Sequence, residues 1–600
     1  MIAFVLRIGR ASRELDAAAA RRLSAFAGSH SPGTLTETGT WNSPGGTIHC
    51  RWVAHAPAEL GGIEYTFPAG DRFSLFAGRP VLWDGPDADG RRAIDPSSYL
   101  GAPPELLRRL DGRFAVIDVA DDAVRLVTDP AGLLPIFVSR RGGAFWLANV
   151  APLVSEVTDP IRESTLAAFV VTGNATTGQP MSDLVDRVEP GTLTRFSADG
   201  QQSAVPLNRV SPEDFRQGPT DYAQAARDLV AVSAASADWP GRARHVHLTG
   251  GYDSRLVGAA LREAGVEVSA TCMAFEYLPG YPLTEDVELS RTLARLLRFD
   301  HHVRDIGDSV PIYRATDAAA AFLRAGSPGT ISWEEITDLL LESPPHAPRP
   351  LLVFDGVGGE FSRGSFDAHW GRAGNFDQYR DARTPQEMIE GMMRRYVPTH
   401  VRSIASPSAL NMFRKWLTSF VERAVDEGFA LSDVPELCFL EYFGTWHGMK
   451  TVPYDYRQDG ISPLVSRRLW PAMLSQPLED RMGARFHREL TALLGPDLHD
   501  TPYCSRSGRY GGRQERVRDR EWLIHRTELA DRADSDPATD PIAGIQRRIM
   551  DRIPASKDHP VWKYLDIDRV KELLDADPAH IRHSYPARLQ IWRLATVLTG

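Results

Sequence analysis

Between residues 221 and 303 the chain alternates two hydrophobic periods, and this alternation constrains the fold more than any other feature of the sequence. A helical period over residues 222–235 leads into a short apolar run at 245–248. After a glycine pair come a helix over 255–264, a strand over 267–273, a helix over 287–297 and a strand at 301–303. Val287, Ser290, Ala294 and Leu297 share one helical face. Strands and helices in alternation need crossover connections, so this part of the chain is expected to build a parallel sheet. Such a sheet binds ligands beyond the carboxyl ends of its strands, and the most unusual turn of the sequence falls there.

That turn reads His245-Val-His-Leu-Thr-Gly-Gly-Tyr-Asp-Ser-Arg255. Gly250 and Gly251 let a ligand approach the backbone, consecutive N–H groups form an anion nest, and the following helix presents its positive end. Thr249 and Ser254 add hydroxyls. Asp253 repels phosphate, and makes sense there as a Mg²⁺ ligand bridging phosphate oxygens. Neither the GK[ST] of a Walker A loop nor the G-x-G-x-x-G of a dinucleotide fold is present. The plainer alternative is a strand–turn–helix junction whose glycines serve tight packing. A second segment, Leu351-Leu-Val-Phe-Asp-Gly-Val-Gly-Gly-Glu-Phe-Ser-Arg-Gly364, again runs from an apolar strand into a glycine-rich turn, now with Asp355 and Glu360. In a parallel sheet both turns lie at the carboxyl edge, where Glu360 completes the metal site begun by Asp253. The alternative here is a surface loop with two solvated acids.

The remainder of the chain bounds the answer. Residues 1–200 read as strands at 3–6, 47–53, 73–77, 114–119, 123–127, 136–139, 145–148 and 192–196, with helices at 12–27 and 104–110. A polar stretch at 203–220 carrying Pro206, Pro212 and Pro219 reads as a linker, and beyond about residue 408 the chain reads as mostly helical. A length of 600 residues calls for at least two domains. The net charge of −10 argues against generic nucleic-acid binding. No apolar run approaches the ~20 residues of a membrane span. Cys50, Cys272, Cys438 and Cys504 stand far apart without a CxxC pair, which fits a reducing cytoplasm. Lysine is scarce: Lys415, Lys450, Lys557, Lys563 and Lys571 are the chain's five. His301-His302 lacks a partner cluster at ligand spacing. The arginines from Arg506 to Arg520 read as a solvated loop, or as a clamp for an anionic substrate.

The two glycine turns together resemble the asparagine synthetase family of PP-loop ATP pyrophosphatases. Thr249-Gly-Gly-Tyr-Asp-Ser254 resembles the family's S-G-G-x-D-S phosphate loop, with Thr249 in place of its first serine, and Asp355-Gly-Val-Gly-Gly-Glu360 stands where the family has S-G-E-G-x-D-E. Thr271-Cys-Met-Ala-Phe275 resembles its adenine-contacting strand. In the first half, Leu110-Asp-Gly-Arg-Phe-Ala115, Thr128-Asp-Pro-Ala-Gly-Leu-Leu-Pro135, Trp146-Leu-Ala-Asn149 and Glu189-Pro-Gly191 resemble stretches of the glutaminase domain. The resemblance implies an N-terminal nucleophile-type αββα sandwich over 1–205, followed by a PP-loop parallel-sheet domain with a helical extension over 215–600. It implies ATP and Mg²⁺, nucleotide contacts from Leu248, Thr249, Gly250, Gly251, Tyr252, Asp253, Ser254, Met273, Gly356 and Gly358, and metal ligation by Asp253 and Glu360.

Two departures shape the functional expectation. A working glutaminase of this kind needs a cysteine after the initiator methionine, and Ile2 stands there, so the first domain is expected to be inactive toward glutamine. Family members without that cysteine, beta-lactam synthetases and lasso peptide cyclases among them, form amides with amines already in the substrate. Val357 occupies the acidic-loop position that carries Glu in asparagine synthetase and can relay no proton. The family also places a lysine near the adenylate, after the segment resembling Ser462-Pro-Leu-Val-Ser466. Lys450 and Arg485, with Arg488 beside it, are the candidates here. The expected function is an AMP- and pyrophosphate-forming amide synthetase. Its substrate is a small-molecule or peptide carboxylate with an amine, it uses no nucleic acid or membrane, and a homodimer is admitted. Ammonia-dependent amidation with a separate glutaminase, or a nucleotide-binding partner without chemistry, are the alternatives.

Overall fold

The computed structural model describes residues 2–28, 34–57, 66–69, 72–82, 101–120, 122–156, 158–172, 176–216, 218–238, 243–274, 283–305, 351–364, 381–396, 404–451, 458–504, 541–556, 558–578 and 594. The fold is mixed α/β, with two antiparallel sheets and one parallel sheet.

β1 (Ile2–Ile8) is apolar at nearly every position because it is buried on both faces. Ile2, Phe4, Leu6 and Ile8 pack toward the second antiparallel sheet, while Ala3 and Val5 pack against Ala19 and Leu23 of α1 (Arg13–Gly28). Its partners are β3 (Ile48–Pro57) and β9 (Ala144–Ala148), both antiparallel, and the six-stranded sheet is completed by β2 (Thr34–Asn42), β8 (Phe137–Arg141) and β10 (Val185–Arg187). The facing sheet holds β4 (Thr66–Ala69), β5 (Arg72–Leu82), β6 (Leu110–Ala120), β7 (Ala123–Thr128), β11 (Thr192–Ser197) and β12 (Gln202–Pro206). Trp41 stacks on Phe73 with ring centroids 5.1 Å apart, closing the layer between the two sheets.

The third sheet runs β15-β14-β13-β16-β17, with every neighbouring pair parallel. Its strands are β13 (Ala243–His247), β14 (Ser269–Ala274), β15 (Asp300–Asp305), β16 (Leu351–Phe354) and β17 (Gln458–Ile461). α5 (Asp253–Glu263) and α6 (Leu283–Leu297) pack together where Gly258 meets Leu297: a methyl on Gly258 would lie 2.9 Å from a Leu297 methyl. The alternation predicted between 221 and 303 is thus present, preceded by α4 (Tyr222–Ala237).

Several details differ from the sequence reading. β12 lies inside the predicted linker; it is an exposed edge strand, and its polar sequence carries no burial signal. β2, rich in threonine, and the short strands β4, β10 and β17 are also edge strands that periodicity misses. The helix expected at 104–110 is one turn, α2 (Pro104–Leu107), because Leu110 already begins β6. Part of the final expected helix, 589–597, lies outside the described residues. All four cysteines are buried free thiols, and among the described residues no helix is long and apolar enough to cross a membrane.

The parallel sheet carries a half-buried histidine that its surroundings hold neutral. His245 Nδ1 lies 2.8 Å from Ser269 Oγ, and the His245 and His247 rings meet edge to face at 5.5 Å. Burial, then the neighbouring His247 and His302, push the His245 pKa down from 6.5 to about 3. Below pH 6.5 the unfolded chain binds a proton that the native protein refuses, so stability falls as the pH drops toward about 3. This loss is expected to reach on the order of 2 kcal/mol by roughly pH 5 and to shrink in His245→Asn, which keeps the Ser269 contact without a titrating ring. Urea unfolding of both proteins across this pH range measures it.

Candidate functional site at the carboxyl edge of the parallel sheet

Two adjacent strands deliver the two glycine turns to one place. β13 and β16 pair in register from Ala243↔Leu351 to Val246↔Phe354, so their chains leave the sheet side by side. Leu248, fully buried, anchors the first turn through its N–H to Thr271 O at 3.0 Å. Ser254 Oγ, from the first turn of α5, accepts the Thr249 N–H at 3.0 Å and meets Thr249 Oγ1 at 3.1 Å. Gly251 N–H donates to Thr249 Oγ1 at 3.2 Å, and Gly250 N–H donates to Asp286 Oδ1 at 2.9 Å. The amides of Thr249, Gly250 and Gly251 therefore already have acceptors, in contrast to the open nest expected from sequence. One of these acceptors, Asp286 near the start of α6, is itself an anion.

The second turn is shaped by an aspartate folded back on its own backbone. Asp355 Oδ1 accepts the Val357 N–H at 3.0 Å and the Ser462 hydroxyl at 2.8 Å, and Glu360 accepts the Gly358 N–H at 3.0 Å. Gly358 sits at φ +95°, where a side chain is strained. Gly356 and Gly359 lie against Asp253: a methyl on Gly356 would sit 2.5 Å from Asp253 Cβ, and one on Gly359 would overlap Asp253 Oδ1. The absence of side chains at these positions lets one turn rest on the other.

Where the turns meet, charge is crowded. Arg363 Nη2 is 2.6 Å from Asp253 Oδ2, and His487 Nε2 is 2.8 Å from Asp253 Oδ1. Burial pushes the Asp253 pKa up, but Arg363 and His487 outweigh it and hold the carboxylate below its usual range. Glu360 is pushed up to about 7, by burial first and then by the Asp253 charge, with Arg363 opposing. Burial lowers the pKa of His487, against the pull of Asp253.

A strap from the C-terminal half closes over the first turn. Arg255, fully buried, donates from Nη1 to Leu498 O and Thr501 O at 2.9 and 2.6 Å, and from Nη2 to Gly250 O and Pro502 O at 3.3 and 2.6 Å. Its guanidinium lies 3.8 Å from the Tyr503 ring centroid. Tyr503 stacks on Tyr252 at 4.1 Å, and Cys504 N–H donates to Gly250 O at 3.0 Å.

The other predicted site residues fall differently. Arg485 is half exposed and paired with Asp480 and Glu489, its guanidinium near the Tyr222 ring, so its charge is spent away from the turns. Arg488 is exposed on the same helix. Lys450 lies on the helix Val434–Thr451 and Met273 on β14; the side chains of both are outside the described residues, as is the arginine-rich stretch 506–520. His302 pairs with Asp300 at 3.2 Å. Among the described residues no group of three or more His, Cys, Asp or Glu is placed to hold a metal ion. Sequence reasoning missed Asp286, Arg255, Tyr503, Arg363 and His487. Arg363 stood within the second glycine segment, two residues beyond the phenylalanine that follows Glu360, whereas His487 had no signal at all.

No protein-family model matches the chain, and no curated protein does. Among solved structures, one of glutamine phosphoribosylpyrophosphate amidotransferase from B. subtilis, complexed with ADP and GMP, is 11% identical, with 54% of this chain and 92% of that chain covered at a TM-score of 0.23. A structure described as the allosteric regulatory enzyme of purine biosynthesis is 12% identical, with 51% and 80% covered at a TM-score of 0.23. Similarity at this level is too slight to carry an argument about fold or activity.

The contact between the turns makes a direct prediction. Gly356→Ala should lower stability by about 1–3 kcal/mol, since the added methyl meets the Asp253 Cβ and the Ser254 backbone N rather than a movable side-chain end. Gly460→Ala, whose methyl meets nothing within 4 Å, is the control. Denaturant unfolding of the two variants gives the comparison.

Proposed function

We propose that the protein is an ATP-dependent amide synthetase of the asparagine synthetase type. In this reading it adenylates a substrate carboxylate, releases pyrophosphate, and passes the acyl group to an amine carried by a small molecule or peptide. The observation that carries the reading is the convergence of Asp253 and the Gly356–Glu360 turn at the ends of two adjacent parallel strands. The chemistry needs such a place: a free carboxylate is a poor electrophile, and adenylation demands a site that grips the β,γ-phosphates while leaving the α-phosphorus open to attack.

The residues there suit magnesium. Asp253 and Glu360 are hard oxygen donors; burial, and then the Asp253 charge, push Glu360 toward neutrality, a strain that a divalent cation relieves. Mg²⁺ commonly takes only one or two protein carboxylates and completes its shell with phosphate oxygens and water. Each Asp253 oxygen keeps a lone pair beyond its contact with Arg363 or His487. When bound, the ion supplies charge neutralisation on the departing pyrophosphate.

The chain's own groups do the rest. In this reading the N-terminal end of α5 orients the phosphates, and Arg363 adds a positive charge beside them. Val357 offers no proton acceptor, so the proton lost by the amine leaves through the substrate, the solvent or another group. The 1–205 domain would be an N-terminal nucleophile-type sandwich without glutaminase chemistry, and 215–600 the PP-loop synthetase domain, acting in the cytoplasm in specialised biosynthesis. Ile2 and Cys50 are both fully buried, and burial drives the Cys50 thiol pKa far up, so neither offers a nucleophile to glutamine. A second reading, a nucleotide-binding partner without chemistry, is favoured by Val357 alone.

Screening a carboxylate panel for pyrophosphate release, with mass spectrometry of the product, identifies the substrate. With that substrate, Asp253→Asn should reduce ATP–pyrophosphate exchange by about 100-fold or more. Exchange at the wild-type rate in the variant overturns the role given to Asp253. Nucleotide binding without exchange on any carboxylate turns the assignment to the second reading.

A further inference from the structure

His487 has no part in the reaction just proposed, yet it sits against the residue on which that reaction depends. It lies on the helix Arg485–Leu494, is fully buried, and stands 125 residues along the chain from Ser362, which it contacts. Its Nδ1 is 3.1 Å from Ser362 Oγ, and Ser362 Oγ donates to Gly359 O at 3.1 Å. Its Nε2 is 2.8 Å from Asp253 Oδ1, a close charge contact whose angle falls short of a hydrogen bond, and among the described residues neither atom has a hydrogen-bond partner.

The proton positions follow from these distances. Asp253 is ion-paired with Arg363, so its carboxylate is ionised. Two lone pairs repel at 2.8 Å, so His487 Nε2 carries a proton on the side of Asp253, off the line of a straight hydrogen bond to Oδ1. Ser362 completes the ring's other side in either state: its hydroxyl donates to a bare Nδ1, or accepts from Nδ1–H while its own proton stays on Gly359 O. A chain of contacts thus runs from the backbone of the second turn, through Ser362 and His487, to the carboxylate of the first. The order Ser–His–Asp is that of a hydrolytic triad, but Ser362 is fully buried and its oxygen has no route to a substrate.

We infer that His487, backed by Ser362, is a positioning residue that fixes the Asp253 carboxylate for a divalent cation and so sets the metal affinity of the nucleotide site. The inference rests on the reading of Asp253 as a metal ligand given above. The physical ground is general: a polar group held close behind a ligating group restrains its orientation, and losing it lowers metal affinity. Here two cationic or donor groups share the work by position. Arg363 takes Oδ2 and His487 takes Oδ1, so the carboxylate cannot rotate without breaking one of them.

The test is a Mn²⁺ titration of the full-length protein saturated with a non-hydrolysable ATP analogue, followed by EPR. His487→Asn keeps an amide near the place of Nδ1 but nothing near Nε2, and should weaken Mn²⁺ binding about 10- to 100-fold. His487→Gln can return a donor to the place of Nε2 and should stay close to the wild type. Ser362→Ala should fall between them, and adding it to His487→Ala should cost nothing further, because both act through one carboxylate. Circular dichroism melting checks folding, and if His487→Asn does not fold, Ser362→Ala carries the test. Equal loss in the Gln and Asn variants, or wild-type binding in His487→Asn or Ser362→Ala, overturns the positioning role and leaves the synthetase reading standing. Wild-type protein that binds no Mn²⁺ with the analogue, or Asp253→Asn that binds it undiminished, sinks the metal reading and this inference with it.

Discussion

The parallel pairing of β13 with β16 is the constraint on which the rest of the site depends. The two strands are far apart in the chain, and only their common direction makes both glycine turns leave at the same edge. Were either strand reversed, Asp253 and Glu360 would stand at opposite ends of the sheet. Pairing alone would still leave the turns a side chain's width apart. Gly356 and Gly359 remove that width, so backbone rests on the Asp253 side chain.

Such close approach concentrates charge, and the fold handles it in two ways. Around Asp253 it supplies direct partners, Arg363 and His487. Around Arg255 it supplies none of opposite sign among the contacts that hold the guanidinium. Four carbonyl oxygens and the Tyr503 ring face it, and the charge is stabilised by dipoles and a π-face instead. Carbonyls fixed by Arg255 cannot drift, which sets the relation between Gly250 and the 498–504 strap. The shape of the first turn is thus maintained from a segment that the linear chain places almost 250 residues away.

What the sequence made legible follows the physics of each signal. Alternating periods announced the parallel sheet, because burying strands between helices forces apolar runs at Val246, Ala270 and Leu352. The glycine turns were visible because few other residues permit such backbone contact. Edge strands were not: β12 is exposed along its length, and β17 reads Gln-Asp-Gly-Ile, so neither leaves a hydrophobic trace. His487 was invisible for another reason. On an amphipathic helix a buried histidine looks like any core position, and only the packing of that helix against the second turn gives it a task. Arg485, two residues earlier, looked the better candidate by position and points to surface partners instead. The resemblance to asparagine synthetases placed residues in order along the chain, but could not say which amides of the first turn would already be engaged.

One buried carboxylate joins the antiparallel sheets to the acidic turn. Asp111, at the start of β6, accepts the Ser466 hydroxyl at 2.5 Å and the Arg467 N–H at 3.1 Å, and Arg467 reaches on to Asp214 at 2.8 Å. The segment it grips begins with Ser462, which holds Asp355, and includes Val465, which packs under Gly358. This layer of strands therefore acts as a foundation wall for the loop beside it. Mutations that loosen β6 would be felt some distance away, at the lip of the parallel sheet.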